Sequence, residues 1–345
     1  RQRYPDRRIG GEDGEPERPY DVTGWTLPLQ MGVRAVEVVT PFKANLSVIE
    51  PRLPDHRVGS SSSGYYLENR TNNDVWALNR LLAKGHSAYW TDKPTRASGR
   101  TIGQGAIWLP SKDGLQADLT SMATETGIEP LPGRKPDRGY RLKQPRLGLY
   151  QPWTSNMDEG WTRWVLERYD FAYRTLHDAE LKAGNLGERY DVIILPSAKP
   201  GRLLKGHADG TMPRQYVGGM GDQGVDNLLA FVREGGTLIC LGDASRLALD
   251  RFDLPVESGV DENRSDDPFY APGSILQVDL DVSHPLAFGR TSPQPVYFAQ
   301  SPVFQVSGNA SSVADYPKFN PLMSGWIFGH EQIHGNSALV DVPVH

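Results

Sequence analysis

Between Arg146 and Ser245 the chain alternates apolar extended runs with helical ones, and this alternation constrains the fold more than any other feature. PRLGLYQPW (Pro145–Trp153) reads as a short strand broken by Pro152, followed by a polar loop, Thr154–Gly160. In GWTRWVLERYDF, Trp161, Trp164, Val165 and Tyr169 fall at i, i+3, i+4 and i+8, one face of a helix. Phe171–Leu176 is a second extended run, and YDVIILPS (Tyr190–Ser197) is a continuous apolar strand of the kind buried on both faces. Val225, Leu228, Leu229 and Val232 repeat the helical spacing until Gly235-Gly236 stops it. TLICLGDAS (Thr237–Ser245) reads as the next buried strand with its exit loop. Strand–helix alternation of this kind predicts a doubly wound, mostly parallel sheet. Ligands on such sheets bind just past the carboxyl ends of the strands.

The bulk composition narrows the function classes. At 345 residues the chain is long enough for two or three domains with their own cores. A net charge of −5 gives no electrostatic case for nucleic acid or an anionic membrane as partner. No apolar run approaches the roughly 18 residues of a membrane span. A single cysteine, Cys240, rules out an internal disulfide and leaves the compartment open. The chain starts at Arg1 in a charged, Pro/Gly-rich stretch and ends inside a strand-like pattern, so it reads as a piece of a longer polypeptide.

Four regions follow from the pattern. Residues 1–63 read as an extended arm and linker, with Pro28 and Pro41 breaking Val22–Phe42 and a flexible GSSSSG at its end. Residues 64–135 read as an α/β segment: GYYLEN, a helix carrying Val75, Trp76, Leu78, Leu81 and Leu82, HSAYW, GAIWLPS, and a helix carrying Leu115, Leu119 and Met122. Its strand–helix–strand plan matches that of 136–255, so the two are related halves or one extends the other's sheet. Residues 256–345 switch to strands joined by Pro/Gly turns, a β-rich tail, with the acidic Glu257–Asp267 as a surface loop.

Candidate chemistry is sparse. The crevice at the strand ends is lined by Gln151, Trp153, Asp158, Ser197 and Asp243. Asp158 and Glu159 also suit the first turn of a helix, and the tryptophans suit a core or a lip. Cys240 lies inside its strand, two residues before the turn, where a buried inert thiol is expected rather than an elbow nucleophile. Ser245 reads as a helix N-cap, and His284 in SHPLAFG as a turn residue. His330, Glu331 and His334 spell H-E-x-x-H, which binds zinc when a helix aligns both imidazoles. Here glycines flank it and strand-like runs lie on both sides, so a hairpin loop holding the imidazoles apart is expected, and the motif reads as chance. Asn45, Asn69 and Asn309 stand in N-x-S/T sequences.

Taken together, YDVTGWTLPLQMGV, NDVWALNRLLAKG, RLGLYQPW with GWTRWVLERYDF, YDVIILPS, GGTLICLGDAS, SHPLAFG and SGWIFG resemble the C-terminal region of bacterial carboxypeptidase A-like zinc metallopeptidases, over residues 20–344. Within it, 136–255 resembles a class I glutamine amidotransferase-like, flavodoxin-like domain. The resemblance implies an exported, periplasmic or extracellular protein whose peptidase domain lies upstream and is the partner of this region, with a peptide as substrate. It implies zinc in that upstream domain, held by a His-x-x-Glu pair and a later His, and no cofactor in this chain. None of those positions is carried over, and the amidotransferase triad of elbow Cys with a later His and Glu is also unmatched. The expectation is a non-catalytic accessory region. The alternatives are an independent hydrolase or small-ligand-binding domain using the crevice, and a structural or assembly module whose open last strand pairs with another chain.

Overall fold

The computed structural model describes residues 8–9, 15–17, 27–54, 57–260, 269–299 and 301–344. Near the start, β1 (Arg8–Ile9) pairs antiparallel with β2 (Glu15–Pro16). One turn of helix follows, α1 (Leu27–Gln30). Pro28 was expected to break this stretch as an extended run, but it sits in the first turn, where its missing N–H has no partner to lose. From Val33 to Pro54 the chain forms no helix or strand and its residues are exposed.

Next come β3 (Gly64–Leu67), α2 (Asn72–Ala83), β4 (Ala88–Thr91), the hairpin β5 (Thr95–Ala97) and β6 (Arg100–Ile102), β7 (Ile107–Pro110), α3 (Leu115–Thr126), β8 (Leu131–Pro132) and β9 (Gly139–Leu142). Five of these strands form one sheet in the order β8-β3-β7-β4-β9, with every neighbouring pair antiparallel. The segment therefore neither copies nor extends the parallel sheet that follows. β3 and β4 run parallel but are separated by β7, and β7 and β8 by β3, the split β-α-β plan. The strands expected in GYYLEN, HSAYW and GAIWLPS are β3, β4 and β7, whereas β5 and β6 were not expected, and β8 and β9 lie in 130–145, expected as a Pro/Lys/Arg-rich connector. Thr71 caps α2, accepting from the Asp74 N–H at 3.3 Å while the Asp74 carboxylate accepts from the Thr71 N–H at 3.0 Å. Tyr65, Leu67, Ala77, Leu81, Ile107, Leu109, Leu115 and Leu119 fill the core between the helices and the sheet.

β10 (Leu147–Tyr150), α4 (Met157–Arg168), β11 (Tyr173–Leu176), α5 (Asp178–Ala183), α6 (Leu186–Arg189), β12 (Val192–Leu195), α7 (Pro200–Lys205), α8 (Gly221–Arg233), β13 (Thr237–Cys240) and α9 (Ala244–Arg251) complete the α/β region. The four strands form a wholly parallel sheet in the order β11-β10-β12-β13. β10 and β12 are central and apolar, as their sequences predict. β13 differs from its expected burial: it is an edge strand, with Ile239 39% exposed and Leu241, just past its end, 37% exposed.

α4 also departs from expectation. Of the face formed by Trp161, Trp164, Val165 and Tyr169, the first three lie toward solvent, at 62%, 55% and 45% exposed, while Tyr169 packs against the core of the preceding sheet. Leu166 and Glu159 are buried instead, Glu159 paired with Arg163, which also donates to Tyr173 Oη and Thr175 Oγ1 on β11.

The tail holds β14 (Val256–Ser258), β15 (Ser274–Leu280), β16 (Gln294–Phe298), β17 (Phe304–Val306), β18 (Ser311–Asp315), β19 (Leu322–Ser324) and β20 (Ser337–Asp341), all paired antiparallel. The main order is β14-β17-β20-β18-β15-β16, with β19 added on β15. The last strand, β20, was expected to end open; it lies inside the sheet, between β17 and β18. Most of the acidic stretch 257–267 lies outside the described residues. By chain contacts one compact unit comprises Arg1–Val48, Asp253–Asp281 and Thr291–Pro343, and the other Ile49–Phe252, Val282–Arg290 and Val344–His345. Among the described residues no helix is long and apolar enough to cross a membrane.

Candidate functional site

The carboxyl ends of the parallel strands carry the residues singled out from the sequence. On β10 the chain leaves through Gln151, Pro152 and Trp153. The Gln151 N–H donates to Leu176 O at 2.9 Å, and its own carbonyl lies 2.8 Å from His177 Nδ1. Trp153 lies flat on the His177 ring, with centroids 3.9 Å apart and planes at 11°, and meets Tyr216 edge-on at 4.6 Å. His207 Nε2 is 3.2 Å from the Trp153 carbonyl. Beneath this cluster Tyr150 Oη donates to Asp178 Oδ1 at 2.6 Å. Desolvation raises the pKa of both groups, and the neighbouring carboxylate adds to the rise at Tyr150.

On the other side of β10, the loops after β12 and β13 are tied to each other. Asn156 caps α4 by accepting from the Glu159 N–H at 3.0 Å, and its amide donates to Ser197 O at 3.2 Å. The Asp243 N–H donates to Ser197 Oγ at 3.2 Å. The approach depends on Gly242, whose φ is +49° and whose added Cβ would lie 2.6 Å from Ser197 Oγ. Asp243 Oδ1 is 3.1 Å from Arg246 Nε.

The structure thus brings Ser197 and Asp243 together, places Gln151 and Trp153 on the β11 side of β10, and leaves Asp158 exposed on the first turn of α4. His177, His207, Tyr216 and the Tyr150–Asp178 pair stand beside them without having been expected there. His177 carried a signal, since it stands directly after a strand in a parallel sheet.

Burial pushes the Cys240 thiol up to about 12, so it is protonated near neutrality. Ser245 does not serve as the N-cap of α9, which begins one residue earlier; its hydroxyl donates to Cys240 O at 3.1 Å. His284 is a turn residue, its Nδ1 accepting from the Leu286 N–H at 3.3 Å.

One His-x-x-Glu spacing occurs, at His177–Glu180. It does not fit a zinc pair. Glu180 accepts from the His177 backbone N–H at 3.1 Å, closing the first turn of α5, and the His177 ring is held by Trp153 and Gln151. Among the described residues no group of three or more His, Cys, Asp or Glu side chains converges as a ligand set. Two clefts of about 460 and 470 Å³ lie away from the crevice: one beside Arg146, Tyr173 and Glu188, the other beside Trp76, Arg80 and Trp164.

No family model matches the sequence, and no curated protein matches it.

Proposed function

We propose that this chain is a non-catalytic accessory region of an exported zinc carboxypeptidase-like protein, proteolysis belonging to an upstream domain that binds the metal. The observation that carries the reading is the turn after β13, where Gly242-Asp243-Ala244-Ser245 offers no free nucleophile. The hydroxyls of Ser197 and Ser245 are engaged with the Asp243 N–H and Cys240 O, and the Cys240 thiol is held protonated. Numbered by sequence, the parallel strands run 2-1-3-4, which supports a flavodoxin-like, glutamine amidotransferase-like layer for 136–255. Among the described residues no ligand set stands in for the family's zinc positions, and the reading assigns no chemical step to this chain.

The test has two parts. The purified chain is assayed for peptidase and amidase activity beside Cys240→Ala, Ser197→Ala and Ser245→Ala, with no turnover expected from any of them. Robust turnover abolished by one of these substitutions would overturn the reading. Intact mass and N-terminal sequencing of the native polypeptide should show an upstream domain; a native polypeptide beginning at Arg1 would remove the peptidase parent.

A second reading, a small-ligand site in the crevice, is favoured by the Trp153–His177 stack with Tyr216 at its edge. Aromatic faces beside polar groups are what such sites use for planar ligands. Saturable quenching of tryptophan fluorescence by a ligand, lost in Trp153→Ala, would favour it over the accessory reading.

A further inference from the structure

The H-E-x-x-H sequence, expected to sit in a loop that keeps its histidines apart, is instead a turn of 3-10 helix over His330–Ile333. Gly329 enters the turn in the left-handed region, with φ of +70°, and Ile333 is fully buried in the core of the β-rich tail. The exit is fixed by the Gly335 N–H donating to Tyr316 O at 3.0 Å and the Tyr316 N–H to Asn336 O at 2.8 Å. Asn336 donates back to Gln332 O at 2.9 Å. The backbone that carries both histidines is therefore rigidly set.

The side chains converge. His330 Nδ1 lies 3.1 Å from His334 Nε2. Two imidazole nitrogens at 2.0–2.1 Å from one tetrahedral metal would be about 3.3 Å apart. On the far side of the His330 ring, Nε2 is 3.2 Å from Glu331 Oε1. That carboxylate favours the tautomer with hydrogen on Nε2, which leaves the lone pair of Nδ1 aimed at His334. A carboxylate behind a ligating histidine is the usual device for orienting the ring and raising its basicity. Both rings are part-exposed, so an ion has access from solvent.

We propose that His330 Nδ1 and His334 Nε2 form a two-imidazole site for a borderline divalent transition ion, Cu²⁺ or Zn²⁺, with Glu331 as the positioning carboxylate and solvent completing the coordination. This differs from the zinc-peptidase use of the same sequence, in which the glutamate acts on a metal-bound water. Here Glu331 faces the nitrogen turned away from the metal position. The site is independent of the function proposed above, because it uses only residues of the β-rich tail.

The test is calorimetric titration of the full chain, without an affinity tag, with Cu²⁺, Zn²⁺ and Mg²⁺. One Cu²⁺ per chain is expected, with Zn²⁺ weaker and Mg²⁺ not bound. His330→Ala and His334→Ala should each weaken Cu²⁺ binding at least about tenfold, and Glu331→Gln by about tenfold. Wild-type affinity in either histidine variant would overturn the proposal, as would no Cu²⁺ binding by the wild type, which would leave the pair as a hydrogen bond only. Should the variants fail to fold, paramagnetic resonance of the wild-type Cu²⁺ complex decides instead. Two coupled imidazole nitrogens are expected, and fewer would overturn it.

Discussion

The Tyr150 hydroxyl reaches Asp178 Oδ1 at 2.6 Å, joining the end of β10 to the first residue of α5 in a largely dry setting. Removing the donor leaves a buried carboxylate short of a partner. Tyr150→Phe is expected to cost about 1–3 kcal/mol at neutral pH. Because the folded-state pKa of Asp178 is raised, protonation favours the folded state, and stability falls as pH rises from the unfolded value through the folded one. The loss should therefore shrink below about pH 4, where the carboxyl is neutral. Urea unfolding of both proteins at the two pH values measures this; an equal loss at both would contradict it.

Asp191 behaves in the opposite sense. The Arg146 guanidinium and backbone N–H hold its carboxyl down to about 2. The stability this pairing contributes is present above the ordinary carboxyl value near 3.9 and is lost as pH falls toward about 2. The pair is substantially exposed, so the effect is small and weakened by salt. Thermal melts should show Asp191→Asn slightly less stable than wild type at pH 7, with the difference vanishing by about pH 2. A constant difference across that range would mean the carboxylate's charge plays no part.

Cys240 should be a slow thiol. With its pKa near 12, roughly one molecule in ten thousand is thiolate at pH 8. Alkylation by iodoacetamide is expected to be far slower in the native protein than in denaturant and to keep rising with pH beyond 9. A plateau near the ordinary cysteine value of about 8.5 would show a solvated thiol.

The two faces of α4 predict opposite mutational responses. Leu166→Ala should cost about 2–4 kcal/mol through the cavity it leaves. Trp161→Ala, on the exposed face, should stay within about 0.5 kcal/mol. Chemical unfolding of the pair provides the comparison, and a large loss at Trp161 would show that this face is covered in solution.

These contrasts also explain what the sequence could reveal. Strand and helix positions in 146–245 were legible because apolar runs and 3.6-residue spacing report element type directly: β10, α4, β11, β12, α8 and β13 fall where expected. Spacing reports that a face exists but not which way it points, so Trp161 and Trp164 suit a core and an exposed lip alike. Leu166, on the opposite face, was overlooked because one leucine beside a Glu159–Arg163 pair makes no stripe. Strand order in 64–142 was hidden because the insertion of β7 between β3 and β4 depends on pairings dozens of residues apart. At the crevice, the crossing of Ser197 and Asp243 was half legible in Gly242, whereas the His177–Trp153 stack joins residues 24 apart that share no local pattern. The short helices α5, α6 and α7 left too few turns to register a period.

The position of β20 has a consequence for synthesis. Its residues leave the ribosome after those of β17 and β18, yet they fill the gap between those two strands. Until Ser337–Asp341 emerge, each neighbour presents an unpaired edge, and the directly bonded Ser312 and Asp315 lack the Ser337 hydroxyl that both also contact. A nascent or truncated chain ending before Ser337 would expose both edges at once, leaving this sheet open to strand exchange until its final strand is made.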